Sequence, residues 1–125
     1  MRVLLDTDVV IEIQRGRDRQ IGANWTSLVA SGAVILYSPV IAGETWAGAR
    51  PHEHALVQSF FDSLTCLPTD YETGKVAGDL LRKYAKSHSL EVPDALIAAA
   101  ALQHRAALWT RNRKHYPMAG LSFYS

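Results

Sequence analysis

Short apolar runs and longer periodic stretches alternate along the chain, and they predict strands and helices in turn. Mostly apolar runs at residues 2–6, 33–37, 66–67 and 107–110 are typical of strands buried in a parallel sheet. Apolar positions three or four residues apart predict helices over residues 7–16, 20–30, 39–48, 51–64, 71–88 and 94–105. Alternation at residues 121–124 predicts a final edge strand. This order predicts an α/β fold whose mainly parallel sheet is covered by helices on both faces.

The most apolar of the predicted helices begins with a carboxylate. Pro93 suits a first helical turn, Asp94 follows it, and the next eight residues are apolar and mostly small. Such a helix is buried on nearly every side, and a carboxylate there costs roughly several kcal/mol in desolvation unless something offsets it. The helix N-terminus, local N–H groups or a bound cation could each do so. Residues elsewhere in the chain are needed to decide which of these three offsets the cost.

Polar side chains close three of the predicted strands. Asp6, Ser38 and Thr110 each stand at or just after a strand end, and Glu44 and Asp94 lie on helices that begin at the same edge of the sheet. Carboxylates crowded within about 4 to 6 Å repel one another, which favours binding of a cation. Oxygen ligands suit Mg²⁺ or Mn²⁺, and the chain lacks the Cys and His spacing of a zinc site.

Length and composition narrow the class of protein without naming a partner. The chain has 125 residues, 48% of them hydrophobic and 20% charged, with a formal charge of +1, as expected of one ordinary globular domain. Its single cysteine, Cys66, excludes an intrachain disulfide, and we expect a buried thiol in a reducing compartment. No apolar run approaches the length of a membrane span, so we expect a cytoplasmic protein.

Five segments recur in a fixed order along the chain: residues 3–11, Ser38 with Glu44, residues 94–99, residues 110–112, and His115 with Tyr116. Taken together, they resemble the motifs of PIN-domain ribonucleases, and specifically those of the VapC toxins of type II (VapBC) toxin–antitoxin pairs. The resemblance covers nearly the whole chain and implies one PIN domain over residues 1–125. It also implies a PIN-like three-layer α/β/α sandwich with four to five strands in the sheet.

The same resemblance implies a Mg²⁺- or Mn²⁺-dependent endoribonuclease in which a metal-activated water hydrolyses RNA. Asp6 and Asp94 would be the principal metal ligands, and Glu44 would position the metal or its water. Many PIN sites carry a fourth acid where this chain has Asn112, whose amide brings no charge, so one metal or two is left open. Asp8 is predicted either to cap the first helix, which we favour, or to support the metal ligands without touching the metal.

Partners follow from the rim of the predicted site and from apolar helix faces. The cationic residues predicted to hold RNA are Arg111, Arg113, Lys114 and His115. The apolar residues predicted to cover a VapB-type antitoxin or a second copy in a homodimer are Ile11, Ile13, Trp25 and Trp46.

Two other interpretations remain open from the sequence. The segment Leu4-Leu5-Asp6-Thr7-Asp8 also fits the opening motif of HAD-like phosphatases, although the chain has no later Asp-Asp pair. Alternatively, the chain is a catalytically weak PIN-like binding module, a hypothesis that Asn112 keeps open and that intact Asp6, Glu44 and Asp94 oppose.

Overall fold

The computed structural model describes all 125 residues and contains four strands and six α-helices. The strands are β1 (Arg2–Leu5), β2 (Val34–Tyr37), β3 (Thr65–Cys66) and β4 (Ala107–Trp109). The helices are α1 (Thr7–Arg15), α2 (Arg19–Ala30), α3 (Pro39–Gly48), α4 (His54–Asp62), α5 (Tyr71–His88) and α6 (Val92–Gln103). Short 3₁₀ turns cover Pro51–Glu53 and Arg113–His115. The predicted α/β fold is confirmed, and the helix predicted over residues 51–64 divides into a 3₁₀ turn and α4.

The sheet is parallel throughout, in the order β3-β2-β1-β4. β1 is a central strand, and Leu4 is paired with Leu36 of β2 on one side and with Leu108 of β4 on the other. All three leucines are at most 1% exposed, which explains why these strands are continuous apolar runs rather than alternating ones. The carboxyl ends of β1, β2 and β4 therefore meet at one edge of the sheet.

The first helix begins and ends with residues suited to those positions. Asp6 is the N-cap of α1, and its side chain accepts a hydrogen bond from the Thr7 N–H. The prediction that Asp8 caps this helix is wrong, because Asp8 already lies inside the first turn. At the other end Gly16 adopts a φ of 67°, which lets its N–H bond to the Glu12 carbonyl and turns the chain toward α2.

Helix α6 is the buried helix that the sequence predicted. Residues Ala98 to Ala101 are at most 1% exposed, and α6 packs chiefly against α5. Alanine side chains let neighbouring backbones approach closely, so the helix lies in the centre of the molecule with little room for a larger side chain. This packing holds Asp94, in the first turn, at the carboxyl edge of the sheet.

Two smaller predictions differ from the structure. The segment predicted as an edge strand at residues 121–124 forms only a single parallel bridge, between Leu108 and Phe123, because its backbone contacts β4 at that one residue. Cys66 was expected to be buried and is exposed, since β3 is a two-residue strand at the open edge of the sheet. None of the helices is long and apolar enough to cross a membrane.

Candidate active site

Asp6 is the best-anchored carboxylate at the carboxyl edge of the sheet. It follows β1 directly and is 8% exposed. Its Oδ1 accepts a hydrogen bond from the Thr7 N–H at 2.8 Å. Its Oδ2 accepts one from the Thr110 hydroxyl at 2.8 Å and another from the Tyr116 hydroxyl at 2.9 Å. Three donors thus hold this side chain in one orientation.

Asp8 and Asp94 lie close to Asp6, and the surroundings of both carboxyl groups disfavour the ionised form. Burial, with a smaller contribution from the nearby Asp6 carboxylate, raises the pKa of Asp8 to about 6. Burial also raises the pKa of Asp94, and Asp6 adds to that effect while His115 opposes it. Neighbouring groups of the protein therefore do not fully offset the cost of ionising these two carboxyl groups. Sites that carry out chemistry often hold such perturbed groups.

Glu44 approaches this cluster from α3. It is exposed, and its Oε1 accepts a hydrogen bond of 2.6 Å from the Thr7 hydroxyl. Since the Thr7 N–H holds Asp6, one residue links the Glu44 carboxylate to the strand end. Asp94 is close enough to Asp6 for the two charges to interact, and Glu44 is connected to Asp6 through Thr7.

The donor set at this edge suits a hard divalent cation bound by few protein ligands. No group of three or more His, Cys, Asp or Glu side chains is placed to hold a metal ion by itself. Asp8 Oδ1 and Ser38 Oγ are buried without a hydrogen-bond partner, so this edge has polar atoms to spare. Mg²⁺ is commonly held by one or two carboxylates and several waters, which these oxygen atoms can provide.

The loop after β4 carries Asn112, for which a role in the site was predicted. Its backbone N–H donates to the Thr110 hydroxyl oxygen at 3.0 Å, and its side chain is exposed. Asn112 therefore supports the same threonine that holds Asp6. The predicted functions of Asp6, Glu44, Asp94 and Asn112 stay predictions.

The four cationic residues predicted to contact RNA differ in how far the protein already engages them. The Arg111 guanidinium forms ion pairs with Glu12 Oε1 at 3.3 Å and Asp18 Oδ2 at 3.7 Å. Glu12 is buried, and the Arg17 and Asp18 N–H groups also bond to it. Arg111 therefore ties the loop after β4 to the α1–α2 turn, a position that favours a structural role.

The other three cations lie on the 3₁₀ turn that follows. Arg113 stacks over the Phe123 ring at 5.0 Å, and its Nη2 donates to the Tyr124 carbonyl. Lys114 and His115 are exposed, and His115 is close enough to Asp94 to affect its pKa. This turn therefore presents positive charge beside the acidic cluster.

Sequence reasoning did not identify the hydroxyl groups that hold Asp6. Thr110 was expected at this edge only as a polar strand end, and Tyr116 was named only with His115 as a segment that matches the PIN-domain motifs. The available signal was a tyrosine that stands shortly after a strand ending at the acidic edge.

An apolar groove lies between α1, α2 and α4, separate from the acidic cluster. It has a volume of about 360 Å³, and its apolar lining consists of Ile13, Trp25, Leu56 and Phe60. A neighbouring cavity of about 100 Å³ is lined in part by Ile11 and Leu56. Ile11, Ile13 and Trp25, predicted to cover a partner, thus line these depressions, whereas the Trp46 ring packs edge-on against His54 at 5.2 Å.

The chain is similar to several known proteins. Residues 3–121 match the PIN domain family. Ribonuclease VapC19 of Mycobacterium tuberculosis (strain H37Rv) is 31% identical over 116 residues, which cover 92% of each chain. Ribonuclease VapC10 of the same organism is 31% identical over 117 residues, covering 93% of this chain and 86% of that protein.

Solved structures share the fold at lower identity. One is the DNA-bound VapBC of Salmonella typhimurium, with a TM-score of 0.82, 18% identity and coverage of 99% and 97% of the two chains. Another is VapBC2 of Rickettsia felis bound to a DNA fragment from its promoter, with a TM-score of 0.80, 21% identity and coverage of 99% and 98%.

Proposed function

Since the chain belongs to the PIN-domain family, we propose that it is the toxin of a VapBC toxin–antitoxin pair and cleaves RNA in the presence of Mg²⁺ or Mn²⁺. Two ribonucleases at 31% identity, aligned over more than nine-tenths of the chain, support the nuclease activity. The observation that carries the proposal is the Asp6 carboxylate, held by three donors beside Asp94 with its raised pKa. We take residues 1–125 as one PIN domain acting in the cytoplasm, where its RNA substrate is found.

Asp6 and Asp94 would hold the divalent ion, with Glu44 placed to orient a water in its coordination sphere. A cation here would offset the charge repulsion that contributes to the raised pKa of Asp94. When bound, the ion would activate a water for attack and neutralise charge on the phosphate that is cleaved. Asn112 brings no charge to the site, which favours one ion over two.

The protein's own groups would organise the reaction around that ion. Thr7 donates hydrogen bonds to both Asp6 and Glu44, so it would keep the two carboxylates in a fixed position relative to each other. Lys114 and His115, exposed on the neighbouring turn, would contact RNA phosphates. Attack by water rather than by a ribose 2′-hydroxyl would leave 5′-phosphate and 3′-hydroxyl ends.

The apolar groove between α1, α2 and α4 is the proposed site for a VapB-type antitoxin. The solved structures that share the fold are toxin–antitoxin complexes, which supports a protein partner of this kind. Trp25 and Phe60 supply aromatic surface of the sort that dominates protein interfaces, with ring centroids 5.6 Å apart. A homodimer stays a prediction. The relatives support neither a HAD-like phosphatase nor a catalytically weak binding module.

Purified protein freed of antitoxin tests the activity. We would incubate it with total RNA in Mg²⁺, in Mn²⁺ and in chelator, and map the new 5′ ends. An Asp94→Asn variant removes a proposed ligand, and Asp79→Asn is the matched control because Asp79 is exposed on α5 and pairs with Arg82. We expect metal-dependent cuts with 5′-phosphates in the wild type and in Asp79→Asn only. Cuts that persist in chelator or in Asp94→Asn would refute the proposal.

A further inference from the structure

Tyr116 delivers a hydroxyl group to Asp6 from the opposite end of the chain. Its ring is 3% exposed, and its hydroxyl donates to Asp6 Oδ2 at 2.9 Å. Thr110 donates to the same oxygen at 2.8 Å, while Oδ1 accepts only the Thr7 N–H. Because a carboxylate offers about four acceptor positions, two on each oxygen, these donors leave one position open, and it lies on Oδ1.

The phenol acts only as a donor. A carboxylate oxygen only accepts hydrogen bonds, so the Tyr116 O–H is the donor in its bond to Asp6 Oδ2. The two hydroxyl groups therefore fill Oδ2, and Oδ1, with a single donor, is the oxygen that can accept a further partner.

We propose that Tyr116 is a positioning residue, whose hydroxyl works with Thr110 to occupy Asp6 Oδ2 and so reserve Oδ1 for the divalent ion. The proposal rests on the proposed metal-dependent activity. Groups that hydrogen-bond to metal ligands in this way typically change metal affinity or activity by about 10- to 100-fold when removed. Because Thr110 still donates to Asp6 Oδ2 in the Tyr116→Phe variant, we expect metal affinity to fall by about tenfold, the lower end of this range.

The chain offers a matched control for the loss of a phenol hydroxyl. Tyr124 packs its ring against Trp109 with centroids 5.1 Å apart, and its hydroxyl donates to the Asn24 carbonyl at 3.2 Å. Tyr124→Phe thus removes one tyrosine hydroxyl from a hydrogen bond that does not involve the acidic cluster. Phenylalanine fills nearly the same space at both positions, so neither variant leaves a large cavity.

The test measures Mn²⁺ binding to metal-free protein by the electron paramagnetic resonance signal of free Mn²⁺, which does not depend on turnover. We expect Tyr116→Phe to bind Mn²⁺ about tenfold more weakly than the wild type, and Tyr124→Phe to bind it equally well. In RNA cleavage at limiting Mn²⁺, we expect kcat to fall in Tyr116→Phe while KM for RNA is unchanged. Melting temperatures in chelator provide the measure of folding for both variants.

Several results would overturn the assignment. Equal Mn²⁺ affinity in Tyr116→Phe and the wild type would show that the Tyr116 hydroxyl does not position the Asp6 carboxylate. Equal losses of affinity and melting temperature in both tyrosine variants would mean that the phenols act through packing alone. If the wild type neither binds Mn²⁺ nor cleaves RNA, the proposed function fails and this role fails with it. Wild-type activity with an unaffected Tyr116→Phe overturns the positioning role alone.

Discussion

Replacing Asp8 with asparagine should stabilise the metal-free protein at neutral pH and leave its stability in acid unchanged. Asp8 lies next to Asp6, and its Oδ1 is buried without a hydrogen-bond partner. Burial and the Asp6 charge raise its pKa from 3.8 to about 6. An asparagine keeps an oxygen that can accept the Arg111 N–H, which Asp8 Oδ2 accepts at 3.2 Å, and it removes the charge.

The sign and size of the effect follow from that difference in pKa. Below pH 3.8 the carboxyl is protonated in the folded and unfolded states, so it carries no penalty. As the pH rises to about 6, the unfolded chain releases its proton first, and the free energy of unfolding falls. The full penalty, about 3 kcal/mol before screening, persists above that pH. Because Asp8 is partly exposed, we expect about 1 to 2 kcal/mol, or about 4 to 8 °C in Tm.

Thermal unfolding in chelator, followed by circular dichroism between pH 4 and pH 7.5, measures this effect. Asp79→Asn serves again as the control, because its carboxylate is exposed on α5. We expect a gain in Tm for Asp8→Asn at pH 7.5 that disappears near pH 4, and none for the control. A gain of the same size at every pH, or a loss at pH 7.5, would refute the reasoning.

Three further substitutions test other parts of the structure. Arg111→Ala should lower Tm by about 3 to 5 °C, because it removes the ion pair with buried Glu12. An unchanged Tm, together with a salt-dependent rise in the KM for RNA, would instead identify Arg111 as an RNA contact. Glu44→Gln should keep Tm within about 2 °C of the wild type, since Glu44 is exposed. The same variant should reduce metal-dependent cleavage at least about tenfold. Full activity would show that Glu44 has no part in the reaction. Ala98→Leu should cost about 1 to 3 kcal/mol in urea unfolding because α6 has no room for it; an unchanged midpoint would contradict the tight packing described for this helix.

Helices and strands could be predicted because each depends on residues close together in the sequence. The run at β1 and the Pro93-Asp94 start of α6 are local patterns, and the structure has both. The approach of Asp94 to Asp6 could be inferred one step further, since parallel strands bring their carboxyl ends to one edge. These inferences needed only periodicity and the topology of parallel sheets.

The contacts that hold the site together could not be predicted in the same way. The Tyr116 hydroxyl and Asp6 are 110 residues apart, and Arg111 and Glu12 are 99 apart. The sequence shows that Arg111 is a cation near a strand end, but a partner from α1 becomes apparent only in three dimensions. The exposure of Cys66 likewise depends on the shortness of β3 and its place at the sheet edge.

The pairing of β1 with β4 also determines when the candidate active site can form during synthesis of the chain. Residue 6 is synthesised long before residues 110 and 116, whose hydroxyl groups orient its carboxylate. The central strand must wait for β4, which is the last strand to be made, before its second edge is paired. A nascent chain therefore carries the acids Asp6 and Glu44 long before it can arrange them. For a protein that would damage its own cell's RNA, this delays the harmful activity until residues 107–116 have been synthesised.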